Sequence, residues 1–254
     1  MKKPLLGILG GLGPASSVYF YHLITSHTAA SCDADHLDII LSSDSSTPDR
    51  TDFILGKSNV SPMSHMLYNS RKLIEYGADY IAIPCNTAHY FYDELTEKVD
   101  KPVINIIGET IEYLNHTGCK KIGLLATDGT VKSGAYYHVC AKYGIECIVP
   151  GENEQKGVMD IIYSQIKAGK APDEKLFSKI SDALFERGCE NIVLGCTELS
   201  LMKKIMSLDD RFTDSLEVLA CRCITLCGAQ AIGFDDKLIK YEEEKANALT
   251  TTLN

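Results

Sequence analysis

The feature that most constrains the fold is an internal repeat in which two apolar runs end at a cysteine. Residues 72–85 read KLIEYGADYIAIPC and residues 183–196 read ALFERGCENIVLGC, and the matching positions keep one constant offset. Each copy passes from a helical pattern through a glycine into an apolar run, which ends at Cys85 in the first copy and at Cys196 in the second. Helix–glycine–strand units are common and explain the glycines, but they do not explain why the cysteines coincide. The repeat therefore predicts two similar lobes that bring equivalent strand ends to one cleft.

Short apolar runs alternate with helical patterns along the chain. The runs are rich in Ile, Val and Leu and mostly continuous, which is typical of strands buried on both faces of a parallel sheet. Between them lie helical patterns such as the one that Asp173 can cap and Gly188 can end. The alternation predicts an α/β fold with two pseudo-symmetric lobes, each a short parallel sheet flanked by helices. The predicted strands are residues 5–10, 37–42, 80–85, 102–107, 121–126, 145–150 and 191–196.

The second lobe is expected to begin just before KIGLLATDG at residues 121–129, which resembles LLGILGGLG at residues 5–13. We assign residues 1–115 together with about 211–254 to the first lobe and residues 116–210 to the second. The acidic segment after Gly233 predicts a solvated helix with a frayed end.

Charge and composition exclude several classes of protein. The net charge of −9 argues against binding to nucleic acid or to a membrane surface, because both favour basic patches. No apolar stretch reaches the ~20 residues of a membrane span. The start, MKKPLLGILGG, is broken by glycines where a signal peptide needs a continuous apolar region. The ten cysteines show no disulfide-framework spacing, so we expect reduced thiols in a cytoplasmic protein.

The two cysteines of the repeat predict acid–base chemistry. Ligands of open α/β sheets bind outside the carboxyl ends of the strands, so Cys85 and Cys196 are expected to face one cleft. A cysteine between a strand and a helix sees the positive end of the helix, which lowers the pKa of the thiol. Backbone N–H groups, with Asn86, Thr87 and Thr197, can hold a carboxylate. One thiol can then remove a proton from the α-carbon while the other returns a proton to the opposite face, which racemises the substrate.

The glycine loop GILGGLGPAS invites a dinucleotide-binding interpretation, but Ser16 stands where that motif needs its third glycine. Pro14 fits a first helical turn, so the loop can still offer N–H groups to a small anion or serve packing. We therefore expect no nucleotide site here.

Metal binding is also not expected. His89 lies four residues after Cys85, which is a possible metal spacing, but no further ligands accompany it, so a supporting role is preferred. Glu198 can assist Cys196 electrostatically or have only a surface or capping role. Three further cysteines read as small core residues of a buried helix; they are Cys221, Cys223 and Cys227.

The motifs GILGGLGPAS, PDRT, PCNTAH, LLATDGT and GCTEL, in this order and spacing, resemble the aspartate/glutamate racemase family of cofactor-independent amino-acid racemases. The resemblance runs from about Leu5 to Gly233. It implies a cleft active site between the two lobes, a homodimer, and activity without pyridoxal phosphate, metal or nucleotide. It also implies that Cys85 of PCNT and Cys196 of GCTE form the catalytic pair.

The resemblance further assigns the substrate pocket. Arg50 of PDRT and Lys167 of a helix-end Lys-Ala-Gly are implied to hold substrate carboxylates. Leu12, which stands where the family's glycine loop usually has methionine, and Thr127 of LLATDGT are expected to bind substrate as well. The serine-rich approach to PDRT is a second departure from the family pattern. Because a buried second carboxylate needs a charged partner, aspartate or glutamate is the favoured substrate.

Three alternatives stay open. The chain can be a racemase of neutral or broad-range amino acids, since serines near Arg50 also suit a polar neutral side chain. It can be a maleate-isomerase-like or decarboxylase-like enzyme that uses one cysteine as nucleophile. A regulator that binds amino acids without catalysis is the third alternative, although it needs no matched thiols.

Overall fold

The chain folds around two parallel four-stranded sheets with the same strand order. The computed structural model describes residues 3–252. In the first sheet the order is β2-β1-β3-β4, and in the second it is β6-β5-β7-β8. The predicted α/β fold with two repeated sheets is therefore confirmed. The first sheet contains β1 (Leu5–Gly10), β2 (Asp38–Ser43), β3 (Tyr80–Ala82) and β4 (Val103–Ile104), and the second contains β5 (Lys121–Leu125), β6 (Glu146–Ile148), β7 (Asn191–Leu194) and β8 (Phe212–Asp214).

Helices cover the faces of both sheets and follow the strands in the chain. Short 3₁₀ turns form at Asp33–Asp35 and Thr87–Phe91, and a π-helical segment spans Asp160–Ile166. The α-helices up to β5 are α1 (Pro14–Ser26), α2 (Arg50–Ile54), α3 (Met63–Glu75), α4 (Tyr92–Thr96) and α5 (Ile106–His116). The later helices are α6 (Asp128–Ser133), α7 (Ala135–Tyr143), α8 (Glu152–Met159), α9 (Glu174–Glu186), α10 (Ser200–Met206), α11 (Ser215–Leu226) and α12 (Asp236–Thr252).

The repeat is visible in how one helix packs on the first strand of each sheet. A Cβ atom on Gly7 of β1 would lie 3.2 Å from the Cβ of Leu73 in α3. A Cβ atom on Gly123 of β5 would lie 3.2 Å from the Cβ of Leu184 in α9. In both halves the missing side chain lets a leucine of the repeat approach the strand closely, which explains why glycine occupies both positions.

Helix α9 forms where the sequence predicts it. The Asp173 side chain accepts a hydrogen bond from the backbone N–H of Leu176 at 3.0 Å, which caps the helix start. The helix buries Phe177 and Ile180 against β5 and β7. Gly188 follows the helix with a φ of +83°, a conformation that favours glycine.

Five of the seven predicted strands are shorter than expected, and two of them bear on the site and on α5. The strand at 80–85 ends at Ala82, so Cys85 lies in the turn beyond β3. The strand at 102–107 ends at Ile104, because Asn105 accepts hydrogen bonds from the N–H groups of Ile107 and Gly108 and starts α5. Asn favours this capping role over strand structure.

The sequence prediction missed β8, which is only three residues long. Phe212–Asp214 pairs with β7 in parallel and completes the second sheet. The chain therefore leaves the second sheet only after Asp214, a few residues later than the predicted boundary near 211. The assignment of two lobes as domains stays a prediction.

The C-terminal segment forms the predicted helix, but that helix is not simply solvated. Glu242 of α12 is 0% exposed and lies 3.3 Å from Arg222 of α11. Lys245 reaches Glu109 and Glu112 of α5, at 2.5 and 2.8 Å. A buried carboxylate needs such a partner, so α12 docks on α5 and α11 through ion pairs as well as apolar contacts.

Two further features bear on the predictions. Cys221 and Cys223 of α11 are 0% exposed, which confirms them as core residues. Among residues 3–252, no helix combines the length and the apolar character needed to cross a membrane.

Candidate active site

Cys85 and Cys196 line one small cavity, which we call the thiol chamber. Its free volume of about 10 Å³ is close to that of a single water, so the wall residues nearly fill the chamber. Cys85 lies three residues beyond the end of β3 and Cys196 two residues beyond β7, at equivalent positions of the two sheets. The strand ends of the repeat thus meet at one place, as the sequence predicts.

A larger cavity of about 520 Å³, the outer groove, lies next to the thiol chamber. The two cavities share six wall residues, so the groove is the approach to the chamber. The wall of the groove also includes the glycine loop and the first turn of α1. The shared residues are Leu12, Asp49, Arg50, Lys167, Thr197 and Glu198.

A buried histidine holds the turn that carries Cys85. The Nδ1 of His89 donates to the carbonyl oxygen of Cys85 at 2.9 Å, and its Nε2 accepts from the N–H of Ile106 at 3.2 Å. Burial lowers the pKa of His89 to about 4, so the ring is neutral near pH 7 and one nitrogen can donate while the other accepts. His89 therefore has the supporting role that the sequence analysis preferred.

Cys196 has a direct acidic partner. Its Sγ donates to Oε2 of Glu198 at 2.8 Å. Burial raises the pKa of the Cys196 thiol well above its usual value, and the Glu198 carboxylate raises it further, while Lys167 opposes the rise. The expectation that a helix end lowers this pKa is therefore wrong for Cys196. Helix α10 begins only at Ser200, so its N-terminus is too far along the chain to offset burial and a neighbouring carboxylate.

Lys167 and Tyr163 form one side of the thiol chamber. The Lys167 Nζ lies 3.8 Å from Oε1 of Glu198 and 4.2 Å from the centre of the Tyr163 ring. Burial alone would lower the pKa of Lys167, but the Glu198 carboxylate raises it above its usual value. The Tyr163 hydroxyl donates to Oγ1 of Thr51 at 3.1 Å, which ties this side to α2. The chamber therefore holds a charged ammonium group beside both sulfurs.

Arg50 ties the glycine loop to the start of α2. Its guanidinium donates to the carbonyl oxygens of Leu12 and Pro48, while Nε is buried without a hydrogen-bond partner among the described residues. Gly11, at a φ of +84°, packs against the backbone of Asp44, where any side chain would collide. These contacts thus fix the glycine loop, whose Leu12 lines the chamber.

Comparison with known proteins now decides the family. The family model for Asp/Glu/Hydantoin racemase matches residues 9–222. The broad specificity amino-acid racemase RacX of Bacillus subtilis is 27% identical over 225 residues, covering 85% of this chain and 95% of RacX. The structure of an aspartate racemase from Picrophilus torridus superposes with a TM-score of 0.77 at 29% identity, covering 90% of this chain and 96% of that one. An aspartate racemase homologue from Pyrococcus horikoshii OT3 gives a TM-score of 0.72 at 25% identity, covering 89% and 99%.

The chain belongs to the Asp/Glu/hydantoin racemase family. The resemblance inferred from its motifs is confirmed, as are the predicted fold class and the enzyme class, a racemase-type isomerase.

In this racemase-family chain, every residue selected from the sequence as a site candidate lines the thiol chamber. The individual roles of these residues stay proposals. The chamber wall contains Cys85, Cys196, Arg50, Asn86, Thr87, Lys167, Thr197, Leu12 and Thr127.

The sequence missed the polar groups that hold these candidates. In this racemase-family site the Thr87 hydroxyl lies 3.0 Å from that of Thr127 and 2.9 Å from that of Thr130. Asn86 accepts from the Tyr136 hydroxyl at 2.7 Å and donates to Ser215 at 2.9 Å. Thr130 belongs to the LLATDGT motif and could have been found there, whereas Tyr136 and Ser215 carry no motif signal.

No group of three or more His, Cys, Asp or Glu side chains in the described part of this racemase-family chain is arranged to hold a metal ion. The groups able to bind a ligand at the chamber are two cations, two carboxylates, several hydroxyls, one amide and two thiols. This set suits a small anionic molecule that undergoes proton transfer.

Proposed function

We propose that this chain is a cofactor-independent racemase of amino acids, in which Cys85 and Cys196 act as the acid and the base. The observation that carries the proposal is the meeting of the two sulfurs in one chamber from equivalent strand ends. A racemase of this kind needs one proton-transfer group on each face of the α-carbon. The internal repeat supplies such a pair through its approximate symmetry.

Each half of the reaction follows from the groups in the chamber. The thiolate of one cysteine takes the α-proton, the electron pair stays on the substrate and spreads into its carboxylate, and the other thiol returns a proton to the opposite face. Hydroxyls of Thr87, Thr127 and Thr197, with nearby backbone N–H groups, hold the α-carboxylate. Asn86 keeps one amide hydrogen for this purpose, because its other partners are internal.

The starting protonation state is also indicated. Because the pKa of Cys196 is raised and its proton points to Glu198, Cys196 rests as a thiol. In the resting enzyme at neutral pH, Cys196 is therefore the acid that returns a proton to the α-carbon. Racemisation in the opposite direction requires Cys196 as a thiolate, which then acts as the base.

An acidic amino acid is the favoured substrate. Arg50 and Lys167 provide two cations at the chamber wall, which can hold the two carboxylates of aspartate or glutamate. Both cations are held by internal acceptors, Arg50 by Leu12 and Lys167 by Glu198, and a substrate carboxylate would replace those contacts. The likeness to an aspartate racemase supports this choice.

A broad substrate range is the second candidate. The likeness to RacX over most of both chains favours it, and the outer groove can accept side chains larger than that of aspartate. We further propose that each chain has the two predicted lobes and that two chains form a cytoplasmic homodimer. Light scattering of the purified protein would test the homodimer.

Exchange of the α-proton tests the mechanism. Each enantiomer of aspartate, glutamate, alanine and serine is incubated in D2O with the dialysed parent, Cys85→Ala and Cys196→Ala, without added cofactor. We expect the parent to racemise at least one substrate, both variants to lose racemisation by several orders of magnitude, and each variant to exchange only one enantiomer, opposite between the two. Cys32→Ala, which removes an exposed cysteine, is the matched control.

The alternatives give different outcomes in the same experiment. A maleate-isomerase-like enzyme would depend on one cysteine only and leave the α-proton of amino acids in place. A binding protein without activity would show no exchange with any substrate. Exchange of the same enantiomer by both variants would contradict the two-sided geometry.

A further inference from the structure

Glu198 is an unusual wall residue, because it touches both cavities and a reacting group. It is only 7% exposed, yet it lines the thiol chamber and the outer groove. Its Oε2 accepts the Cys196 thiol proton at 2.8 Å, while Oε1 faces Lys167. Glu198 thus lies between the sulfur of Cys196 and the outer groove.

A glycine keeps space for this carboxylate. A Cβ atom on Gly13 would lie only 3.0 Å from Oε1 of Glu198. Any side chain at position 13 would therefore press on the carboxylate from the groove side. The glycine loop therefore leaves room for the Glu198 carboxylate at the boundary between the thiol chamber and the outer groove.

The other thiol has no equivalent partner. Within residues 3–252, no side chain forms a hydrogen bond with the sulfur of Cys85, and the groups that hold its turn bind its backbone instead. The residue that follows Cys85 at the position matching Glu198 is Thr87, whose hydroxyl bonds to Thr127 and Thr130. The two halves of the repeat therefore differ in how a proton can reach the sulfur.

Building on the function proposed above, we propose that Glu198 is the positioning residue of Cys196 alone. It directs the thiol proton and passes protons between this sulfur and water in the outer groove. Cys85 has to exchange its proton by another route. The two thiols thus occupy equivalent positions of the repeat, but only Cys196 exchanges protons with solvent through a neighbouring carboxylate.

The proton balance is simple. When Cys196 has given its proton to the α-carbon it is a thiolate, and the enzyme must protonate it before the same direction can proceed again. Water in the groove donates a proton to the Glu198 carboxylate, and the resulting carboxyl donates one to the sulfur, which restores the thiol and the carboxylate. The proton that Cys85 took from the α-carbon returns to solvent by the other route and neutralises the hydroxide that is left. In the other direction each transfer runs in reverse, so no other reactant is needed.

A pair of half-reactions tests this asymmetry. Glu198→Gln keeps the shape of the side chain, and its amide oxygen can still accept a hydrogen bond from a thiol. An amide, however, cannot take up and release a proton as a carboxylate does. It is introduced into Cys85→Ala, where only Cys196 can exchange an α-proton, and into Cys196→Ala, where only Cys85 can. Exchange of both enantiomers of aspartate and glutamate in D2O is followed by NMR.

At a pH above the Cys196 labelling midpoint, where the sulfur is already a thiolate, we expect Glu198→Gln to slow exchange about tenfold or more in the Cys85→Ala background. In the Cys196→Ala background we expect a much smaller change, because there the variant alters only the contact with Lys167. Glu198→Asp should recover part of the loss, because it restores a carboxylate. Equal effects in both backgrounds, or no effect with Cys85→Ala, overturn the proposal. If the single-cysteine variants exchange the same enantiomer or none, the proposed two-thiol function fails instead.

A second measurement decides the positioning role without catalysis. Iodoacetamide labelling of Cys85 and Cys196 is followed against pH by mass spectrometry in the parent, Glu198→Gln and Glu198→Asp. The charged or titratable groups that line the chamber with Cys196 are Glu198, Lys167, Tyr163, Cys85, Arg50 and Asp49, and only Glu198 changes. We expect the Cys196 midpoint to move to lower pH in Glu198→Gln alone, with Cys85 unmoved. An unmoved Cys196 midpoint, or equal movement of both cysteines, overturns the proposal.

Discussion

The side-chain amide of Asn86 donates a hydrogen bond to the hydroxyl of Ser215 at 2.9 Å, although the two residues lie far apart in the chain. Asn86 follows Cys85 beyond the first sheet, and Ser215 begins α11 just after the last strand of the second sheet. Ser215 also donates to the carbonyl oxygen of Leu194 in β7 at 2.8 Å. One hydroxyl therefore fixes the turn of one catalytic candidate to the strand that leads to the other.

Replacing this hydroxyl should affect both stability and activity. In Ser215→Ala the Asn86 amide and the Leu194 carbonyl lose a buried partner, which costs about 1–3 kcal/mol of the free energy of unfolding. We expect a lower urea midpoint and slower racemisation, because the turn that carries Cys85 is less well held. Ser31→Ala, at an exposed position, is the control for each measurement. Parent-like values of both quantities in Ser215→Ala would show that the contact is dispensable.

Stability should depend on pH through Asp214, which caps α11. Burial raises the pKa of Asp214 to about 7, and the nearby Glu217 adds to the rise. An unfolded aspartate titrates near ~3.9, so between about pH 4 and 7 the folded protein holds a proton that the unfolded chain releases. Stability therefore falls as the pH rises through this window.

The variant Asp214→Asn should remove that contribution and still cap the helix, since Asn is also a good capping residue. We expect its urea midpoint to change less than that of the parent between pH 4.5 and 7.5, measured in steps of about half a unit. Asp209→Asn, at an exposed site, should keep the pH dependence of the parent. A parent-like slope in Asp214→Asn would contradict the assignment.

The catalytic pH dependence should reflect the raised pKa of Cys196. In Cys85→Ala, exchange of the α-proton requires Cys196 as a thiolate. Because burial and Glu198 raise the pKa of Cys196, exchange should keep rising with pH beyond ~8.5, the usual pKa of a cysteine. NMR exchange rates from pH 6 to 10 measure this, with circular dichroism showing that the fold persists. A plateau reached below pH ~8 would contradict the raised pKa.

The fold and the two cysteines of the chamber could be predicted from local patterns, whereas Arg50, Lys167, Leu12 and Thr127 were implied only by the family resemblance. Continuous apolar runs, the glycine before the strand in each copy of the repeat and the repeated cysteine are all visible within short windows. Strand β8 was missed because three residues reading FTD carry no periodicity.

Other features could not be predicted because they depend on contacts between distant residues. The partners of Asn86 come from positions 136 and 215, which only the packed fold brings to it. The pKa of Cys196 was predicted in the wrong direction for a related reason. A motif shows that Glu198 is two residues away, but only the structure shows that its carboxylate turns back to the sulfur in a buried site.

The choice of substrate can be tested at Arg50, which is 7% exposed and belongs to both cavity walls. Its unpaired Nε and its contacts to backbone carbonyls leave it able to receive a carboxylate without breaking another ion pair. Removing one partner of a buried charge pair costs about 3–5 kcal/mol.

Arg50→Ala should therefore lower kcat/KM for aspartate and glutamate by about 10²–10³-fold, and for alanine or serine by much less. Arg50→Lys should recover only part of the loss, because lysine lacks the two-pronged geometry of arginine. Arg71→Ala, an exposed arginine of α3, is the matched control, and thermal unfolding separates loss of binding from loss of the Leu12 contact. If Arg50→Ala lowers the activity toward acidic and neutral substrates equally, Arg50 holds the loop and not the substrate side chain, and the broad-range alternative becomes the better one.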